Sequence, residues 1–436
     1  MKVLKFGGTS LGTSERMKGV VDIVMSQSPV LVVLSAVSGT TDSLVKISDC
    51  IKATETSCIS EQIDLLGKHY RKYIDSLFEL DENKEKALSF VESHFQEIMA
   101  LSIESINQST EFHILAKGEI ISTELFSLLL EERKIKSSLL SSLDFLRLNK
   151  DGAPDEDFLK QELNRKLETG EKVYIAQGFI CRNAFGELAN LKRGGSDYSA
   201  SLFAAAIDGE ELQIWTDIDG MHNNDPRHIK NTKPIRELTF DEAAELAYFG
   251  AKILHPSSIK PARKKNIPVK LLDTLQPTAI GTLISSKSSG KNIKAVAAKS
   301  GITAIKIRSG DMLQAPGFLR RVFEVFELYN TSIDVITTSE VAVSLSIDDR
   351  SNLEPIVHTL EQFGLVEVDN ELAIICVVGE YLVENTGLVA SIITSLKSIP
   401  LRMISFGGSA HNITLLVSED YKVDALKALQ KGLFNV

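Results

Sequence analysis

The sequence predicts an α/β protein: a mainly parallel sheet between helical layers, followed by two smaller ferredoxin-like α+β units. Two observations carry this. Short β-branched runs, apolar on both faces, alternate with amphipathic helical patterns along most of the chain. Beyond about residue 290 the grain changes, and one order of strands and helices occurs twice.

The first strands are "VLKF" at 3–6, "VLVVL" at 30–34, "VYIAQGFI" at 173–180, "LQIW" at 212–215 and "IPVKLL" at 267–272. None alternates polar with apolar residues, as expected of strands covered on both faces. Helical patterns at 14–26, 196–207 and 240–249 separate them. A charged amphipathic stretch at 60–106 reads as a helical excursion with a structural role. The polar, Gly/Ser-rich "SSKSSGKN" at 285–292 marks a domain boundary.

Then come strand "TAIKIR" (303–308), a helix at 316–330 opened by Pro316 and Gly317, strands "SIDVITT" (332–338) and "VAVSLSI" (341–347), and a helix at 352–363. The order recurs in "LAIICVV" (372–378), a helix at 387–396, "PLRMIS" (400–405), "NITLLVS" (412–418) and a helix at 421–433. This reads as two βαββαβ-like units in tandem. The expected domains are 1–285, 299–365 and 371–436.

Composition narrows the function. Among 436 residues, 48 basic and 58 acidic side chains give a net charge of −10. That argues against nucleic acid or an anionic membrane as the main partner, and "RKK" at 263–265 is too short to offset it. Cys50, Cys58, Cys181 and Cys376 form no C-x-x-C pair, which predicts reduced thiols, no disulfide framework and no zinc site. His222 and His255 lack a third partner at ligand spacing. "MKVLKFGG" is too short an apolar run for a signal peptide, and no run reaches membrane-spanning length. A soluble, cytoplasmic protein is expected.

The chemistry-bearing residues follow strands. In "KFGGTS" (5–10), Gly7 and Gly8 let backbone N–H groups approach an anion and Lys5 adds charge. "LSAVSGTTDSL" (34–44) crowds Ser35, Ser38, Thr40 and Thr41 into a second turn, where helix capping is the plain alternative. "LKRGGSDYSA" (191–200) places Arg193 before two glycines, with Ser196 and Asp197 opening a helix suited to an anion. "WTDIDGMHNNDPR" (215–227) offers Thr216, Asp217, Asp225 and Arg227 in a turn-rich loop fit for a nucleotide and its metal. "FGAKILHP" (249–256) supplies Lys252. No P-loop pattern is present, yet three Gly-and-hydroxyl turns fall where open α/β sheets place ligands.

These motifs, in this order, resemble the aspartate kinases of the amino-acid kinase family, and the C-terminal repeat resembles their paired ACT domains. The resemblance runs from residue 1 to 436. "PGFLRRVFEVF" with "SIDVITTSEVAVSLSID" is most similar to the lysine-sensitive type, and the monofunctional form, without a fused homoserine dehydrogenase, is expected.

The resemblance implies the amino-acid kinase fold and phosphoryl transfer from ATP, with Mg²⁺, to the side-chain carboxylate of L-aspartate. It implies that Lys5 and Lys252 neutralise the phosphoryl group, that Asp197 holds both lysines and that Arg193 clamps the substrate α-carboxylate. Glu119 would meet the ammonium, and Ser35, Thr41 and Ser196 would orient the side-chain carboxylate. Lys5, Gly7, Gly8, Thr216, Asp217, His222, Asp225, Arg227 and Lys252 would line the ATP site.

It also implies inhibition by L-lysine at the first ACT unit, walled by Met312, Gln314, Gly317, Phe318 and Leu319, with Asp334 for the ammonium and Ser339 and Glu340 closing the site. A homodimer or higher homo-oligomer through the ACT units is expected. Lys192, His222 and Gln314 depart from the residues usual in this family. Two alternatives stand: a kinase of acetylglutamate or glutamate, which the ACT repeat and Glu119 disfavour, and a non-catalytic amino-acid sensor, which Lys5, Arg193, Asp197 and Lys252 disfavour.

Overall fold

The computed structural model of the chain describes residues 1–102, 107–191, 194–250, 254–287, 290, 293–310 and 316–434. The chain begins with β1 (Lys2–Phe6), α1 (Ser14–Gln27), β2 (Val30–Leu34), α2 (Thr40–Lys52), α3 (Thr56–Leu77), α4 (Asp81–Leu101) and α5 (Gln108–Glu132). Then come β3 (Ser138–Leu140), α6 (Glu156–Leu167), β4 (Val173–Gln177), β5 (Ile180–Arg182), β6 (Leu188–Asn190), α7 (Gly195–Ala206) and β7 (Leu212–Thr216). β8 (Glu237–Thr239) and α8 (Phe240–Tyr248) precede α9 (Lys260–Lys264), β9 (Val269–Asp273) and β10 (Thr282–Ser285).

The remainder holds β11 (Ile293–Arg308), α10 (Phe318–Leu328), β12 (Val335–Thr338), β13 (Ala342–Ile347), α11 (Leu353–Leu360) and β14 (Leu365–Gly379). It ends with α12 (Leu388–Ser395), β15 (Met403–Phe406), β16 (Asn412–Ser418) and α13 (Lys422–Phe434). The chain divides into two compact units, Met1–Met221 with Leu254–Lys287, and His222–Ile253 with Ser288–Val436. Residues 222–253 therefore cluster with the C-terminal unit, although the sequence reading placed them in the domain ending at 285.

In the first unit the strands lie in the order β3-β4-β2-β1-β7-β9-β10. The pairs β1–β2, β2–β4, β3–β4, β1–β7 and β7–β9 are parallel, and β10 runs antiparallel to β9. Every residue of β2 and β4 is buried, as strands apolar on both faces require. Helix starts follow local chemistry: the side chains of Thr13, Asn107 and Asp155 accept from the N–H groups of Arg16, Thr110 and Phe158.

The excursion expected at 60–106 is built from α3 and α4 and leads into α5. It is no separate body, because Tyr70, Tyr73, Phe95 and Phe126 share one apolar cluster with Phe6, Leu11 and Leu34.

Cys50 and Cys58 correct the reduced-thiol expectation. They form a disulfide across the short α2–α3 turn, with Cα atoms 5.8 Å apart. The Glu55 N–H donates to the Cys50 carbonyl at 3.0 Å, so the turn brings the two residues together without any recognisable cysteine motif. Cys181 and Cys376 are free and buried.

The second unit contains one six-stranded sheet in the order β12-β13-β11-β14-β16-β15. Its long central strands correct the tandem reading. The later part of β11, Ile302–Arg308, pairs with β13 and with Leu365–Leu372 of β14. The earlier part, Ala295–Lys299, pairs with Ile374–Val378. The second βαββαβ unit thus takes its fourth strand from before the first, and the two are nested. Ile305, Phe318, Val322 and Leu345 belong to one core, and Val296, Ile375, Leu388 and Leu426 to the other. Among the described residues no helix is long and apolar enough to cross a membrane.

A C-terminal fragment starting at residue 293 should melt cooperatively, whereas one starting at 302 loses the strand that covers one edge of β14. The buried Val296 and its neighbours make that loss several kcal/mol, at roughly 25 cal/mol per Å². Denaturant melts of the two fragments check this, and equal midpoints contradict the nesting.

Candidate active site

β1 lies between β2 and β7, and with β4 beyond β2 these parallel strands bring three turns together at their carboxyl ends, beside the end of β7. The ladder continues into these turns. Gly7 N–H donates to the Trp215 carbonyl at 3.2 Å, Ser35 N–H to Phe6 at 3.2 Å and Gly178 N–H to Leu34 at 3.0 Å. The turns follow β1, β2 and β4, and are fixed to one another before any side chain acts.

Glycine lets them close. A Cβ on Gly8 would lie 2.9 Å from the Ala36 carbonyl oxygen, and one on Gly178 would lie 2.6 Å from the Ser196 Cβ. Such contacts are shorter than real side chains tolerate.

Lys5 lies one residue before the end of β1, with its ammonium 2.7 Å from a carboxylate oxygen of Asp197, in the first turn of α7. Both side chains are largely buried. The ammonium lies beside the glycine turn, where a Cβ on Gly7 would sit 3.5 Å from Nζ. α7 starts from Gly194 in the left-handed region (φ +76°), which the missing Cβ permits. Ser196 lies in the same helical turn.

Glu119 enters from α5. Its Oε1 accepts from the Ala36 N–H at 3.3 Å, and the Ser122 hydroxyl donates to the Ser35 carbonyl at 2.8 Å. Glu119 is only 5% exposed, and burial pushes its carboxyl up to about 8, against the opposing Ala36 N–H. Thr41 stands exposed at the start of α2, after Gly39 at φ +82°. Thr216 ends β7 and donates to Asp217 Oδ1 at 3.1 Å.

The structure pairs Lys5 directly with Asp197, ties Gly7, Gly8, Ser35, Glu119 and Ser196 to the same group of turns through Trp215, Ala36, Phe6 and Gly178, and places Thr41, Thr216 and Asp217 on the ends of neighbouring elements. Ser10 was not singled out from sequence. Its hydroxyl meets the Thr274 hydroxyl at 2.6 Å and the Trp215 carbonyl at 3.3 Å, linking the β1 turn to the ends of β7 and β9. Ser122 was also missed, since one hydroxyl inside an apolar helix carries no visible signal.

In the second unit, Arg227 grips Asp225 through Nε and a terminal nitrogen at 2.7–3.1 Å. Burial works against ionisation of Asp225, but Arg227 outweighs it and holds the carboxyl below its usual range. His222 Nδ1 lies 2.8 Å from the Thr232 hydroxyl.

Asp334 is not the solvated edge charge that its strand position allows. Its side chain is 1% exposed, and it accepts from the Lys299 ammonium at 2.9 Å and the Tyr248 hydroxyl at 3.1 Å. Lys299, unnoticed in the sequence, also pairs with Asp348 at 2.8 Å. Gly317 caps α10 at φ +92°, Phe318 is buried, Leu319 packs against the same core, and Ser339 and Glu340 are exposed. Lys192, Arg193, Lys252, Met312 and Gln314 lie outside the described residues.

A family model for the amino acid kinases matches residues 1–273, and an ACT domain model matches residues 375–433. The lysine-sensitive aspartokinase 3 of Escherichia coli is 32% identical over 448 residues, covering 99% of each chain. The crystal structure of E. coli aspartokinase III with aspartate and ADP (R-state) matches with a TM-score of 0.84 at 32% identity over the whole of both chains. Its complex with lysine and aspartate (T-state) gives 0.82 at 32%, over 100% of this chain and 99% of that one. The chain belongs to the amino acid kinase family and, within it, to the aspartokinases.

Gly178→Ala tests the close approach. The added methyl forces β4 and α7 apart at Ser196, so kcat should fall at least ~10-fold while overpacking costs about 1–3 kcal/mol of stability. Steady-state kinetics and a melting curve read both. Wild-type kinetics would show that the turns can part without consequence.

Proposed function

We propose that the chain transfers the γ-phosphoryl group of ATP to the side-chain carboxylate of L-aspartate, giving 4-phospho-L-aspartate, and that L-lysine inhibits it. The observation that carries the catalytic half is the Lys5–Asp197 pair at a glycine-lined sheet edge, with Glu119 buried beside it. The nucleophile is a carboxylate with an ordinary pKa of about 3.9, so it is ionised at neutral pH and needs no general base. The barrier is repulsion between this anion and the phosphates. Lys5, steadied by Asp197, places positive charge where negative charge collects, and the backbone N–H of Gly8 adds to it.

In this reading Arg193 grips the α-carboxylate, Ser35, Thr41 and Ser196 align the reacting carboxylate, and Lys252 is the second phosphate lysine. Thr216, Asp217, His222, Asp225 and Arg227 serve the nucleotide. In this reading the Mg²⁺ rides on the nucleotide phosphates. Bound there, it supplies charge neutralisation. A cytoplasmic setting and association of copies through the ACT units complete the reading, and light scattering of the purified chain tests the latter. The decisive assay is ATP turnover that depends on aspartate, with glutamate and acetylglutamate as controls.

The regulatory half rests on the first ACT unit. The E. coli T-state structure holds lysine. Here Gly317 leaves the first N–H groups of α10 for an effector carboxylate, and Asp334 already binds an ammonium, that of Lys299. Free lysine would compete with Lys299 for Asp334. Inhibition then requires lysine to favour the inactive arrangement, typically by about 1–3 kcal/mol.

Three outcomes are expected. Lys5→Ala should lower kcat by roughly 10²–10³, the scale of removing one electrostatic donor. Near wild-type kcat in the purified variant would exclude this role.

Glu119, with its carboxyl at about 8, is mostly neutral at pH 7 in the free protein. An incoming ammonium favours the ionised form, so aspartate binding at pH 7 should release close to one proton, about 0.9 at most. Calorimetry in buffers of different ionisation heat measures this. The release should vanish in Glu119→Gln and also in wild type well above pH 8; buffer-independent heats at pH 7 contradict it.

Asp334→Ala should raise the lysine concentration for half-inhibition at least ~10-fold, within the usual coupling range. Asp348 remains to pair Lys299, so the variant should still fold. A lysine titration with threonine as control decides, and unchanged inhibition would move the effector site elsewhere.

A further inference from the structure

The helical excursion carries two buried tyrosines whose hydroxyls reach two different turns of the sheet edge. They stand three residues apart on α3, and so on one face of it. Tyr73, 5% exposed, donates to the Leu11 carbonyl at 2.7 Å and lies 3.4 Å from the Thr13 carbonyl. Leu11 ends the short helical turn that begins at Gly8, and Thr13 caps α1. Tyr73 therefore fixes the exit of the β1 turn that carries Lys5, Gly7 and Gly8.

Tyr70 is fully buried, with its hydroxyl 2.9 Å from that of Thr40. Thr40 opens α2 next to Thr41 and bonds back to the Val37 carbonyl at 3.0 Å. Tyr70 therefore fixes the β2 turn, on the carboxylate side.

The two rings meet edge to face at 6.5 Å, and Tyr70 meets Phe95 of α4 at 6.1 Å. Burial pushes both phenols up, so both keep their protons throughout the working range. The turns they hold are themselves in contact: a Cβ on Gly12 would sit 3.3 Å from the Ser38 Cβ. A core tyrosine needs only some acceptor for its hydroxyl. These two take theirs on adjacent turns, one assigned to phosphate and one to the acceptor carboxylate.

We propose that Tyr70 and Tyr73 are positioning residues for phosphoryl transfer, a rigid bar that sets the spacing between the phosphate turn and the carboxylate turn. The inference rests on the aspartate kinase reading of those turns. The in-line approach of two anions tolerates little misalignment, and neither tyrosine needs to touch substrate to matter.

The test is Tyr70→Phe and Tyr73→Phe in the full chain, with kinetics in both substrates and a melting curve. Each change keeps the ring and removes only the hydroxyl. Tyr70→Phe should raise the KM for aspartate about five- to tenfold and leave that for ATP within about twofold, because only the carboxylate turn is released. Tyr73→Phe should instead lower kcat or raise the KM for ATP by about the same factor, with the KM for aspartate within about twofold.

Tyr70→Phe combined with Thr40→Val guards against a merely structural effect. Removing both partners spares the unpaired hydroxyl, so stability should recover while the KM for aspartate stays raised. If activity falls only as the folded fraction falls, or both single variants behave like wild type, the tyrosines are core residues and the inference fails. A wild type without aspartate-dependent turnover overturns both this inference and the reading beneath it.

Discussion

Positive charge must be held at the edge of a parallel sheet without a loop that wraps phosphate. In the proposed reading the Lys5–Asp197 pair meets this constraint, and much of the first unit can be read as its support. A lysine at a strand end is floppy, and a carboxylate from another element must stand close enough to fix it. That requires α7 to approach β1 and β4 closely. Gly178 and Gly195 permit the approach, and the Ser199 hydroxyl secures it by accepting from the Phe179 N–H at 2.9 Å and donating to the Gly195 carbonyl at 2.9 Å.

The same close approach explains the work done by the helices behind the edge. Turns made largely of glycine, serine and threonine have little apolar surface with which to hold their own shape. Their carbonyls, a hydroxyl and an N–H group are met instead from α3 and α5, through Tyr73 and Ser122, Tyr70, and Glu119 respectively. An excursion that looks dispensable in sequence therefore lies in one apolar core with the strands it braces.

In the second unit, nesting has a comparable consequence. Because β11 and β14 each run through both βαββαβ units, the units cannot move independently without breaking a shared ladder. Lys299 sits on β11 within that ladder and holds Asp334 and Asp348. A ligand competing for Asp334 acts on a strand common to both halves, and this gives local binding a route to a wider rearrangement.

The sequence by itself determined the α/β class, the positions of the main strands and the glycine turns that follow them, because burial on both faces and glycine at strand ends leave local signatures. "KFGGTS" and "RGGSD" were readable for that reason. Pairings between distant residues leave no such mark. Nothing in "LAKGEIIS" shows that Glu119 meets Ala36, nothing in α3 shows that its tyrosines reach two different turns, and Lys299 looks like any strand lysine. The strand order that sends 293–299 to the far βαββαβ unit is equally silent, since both candidate partners are apolar strands of similar length. Tertiary structure alone decided these points: which donor meets which acceptor depends on the geometry of the packed chain, and local composition does not encode it.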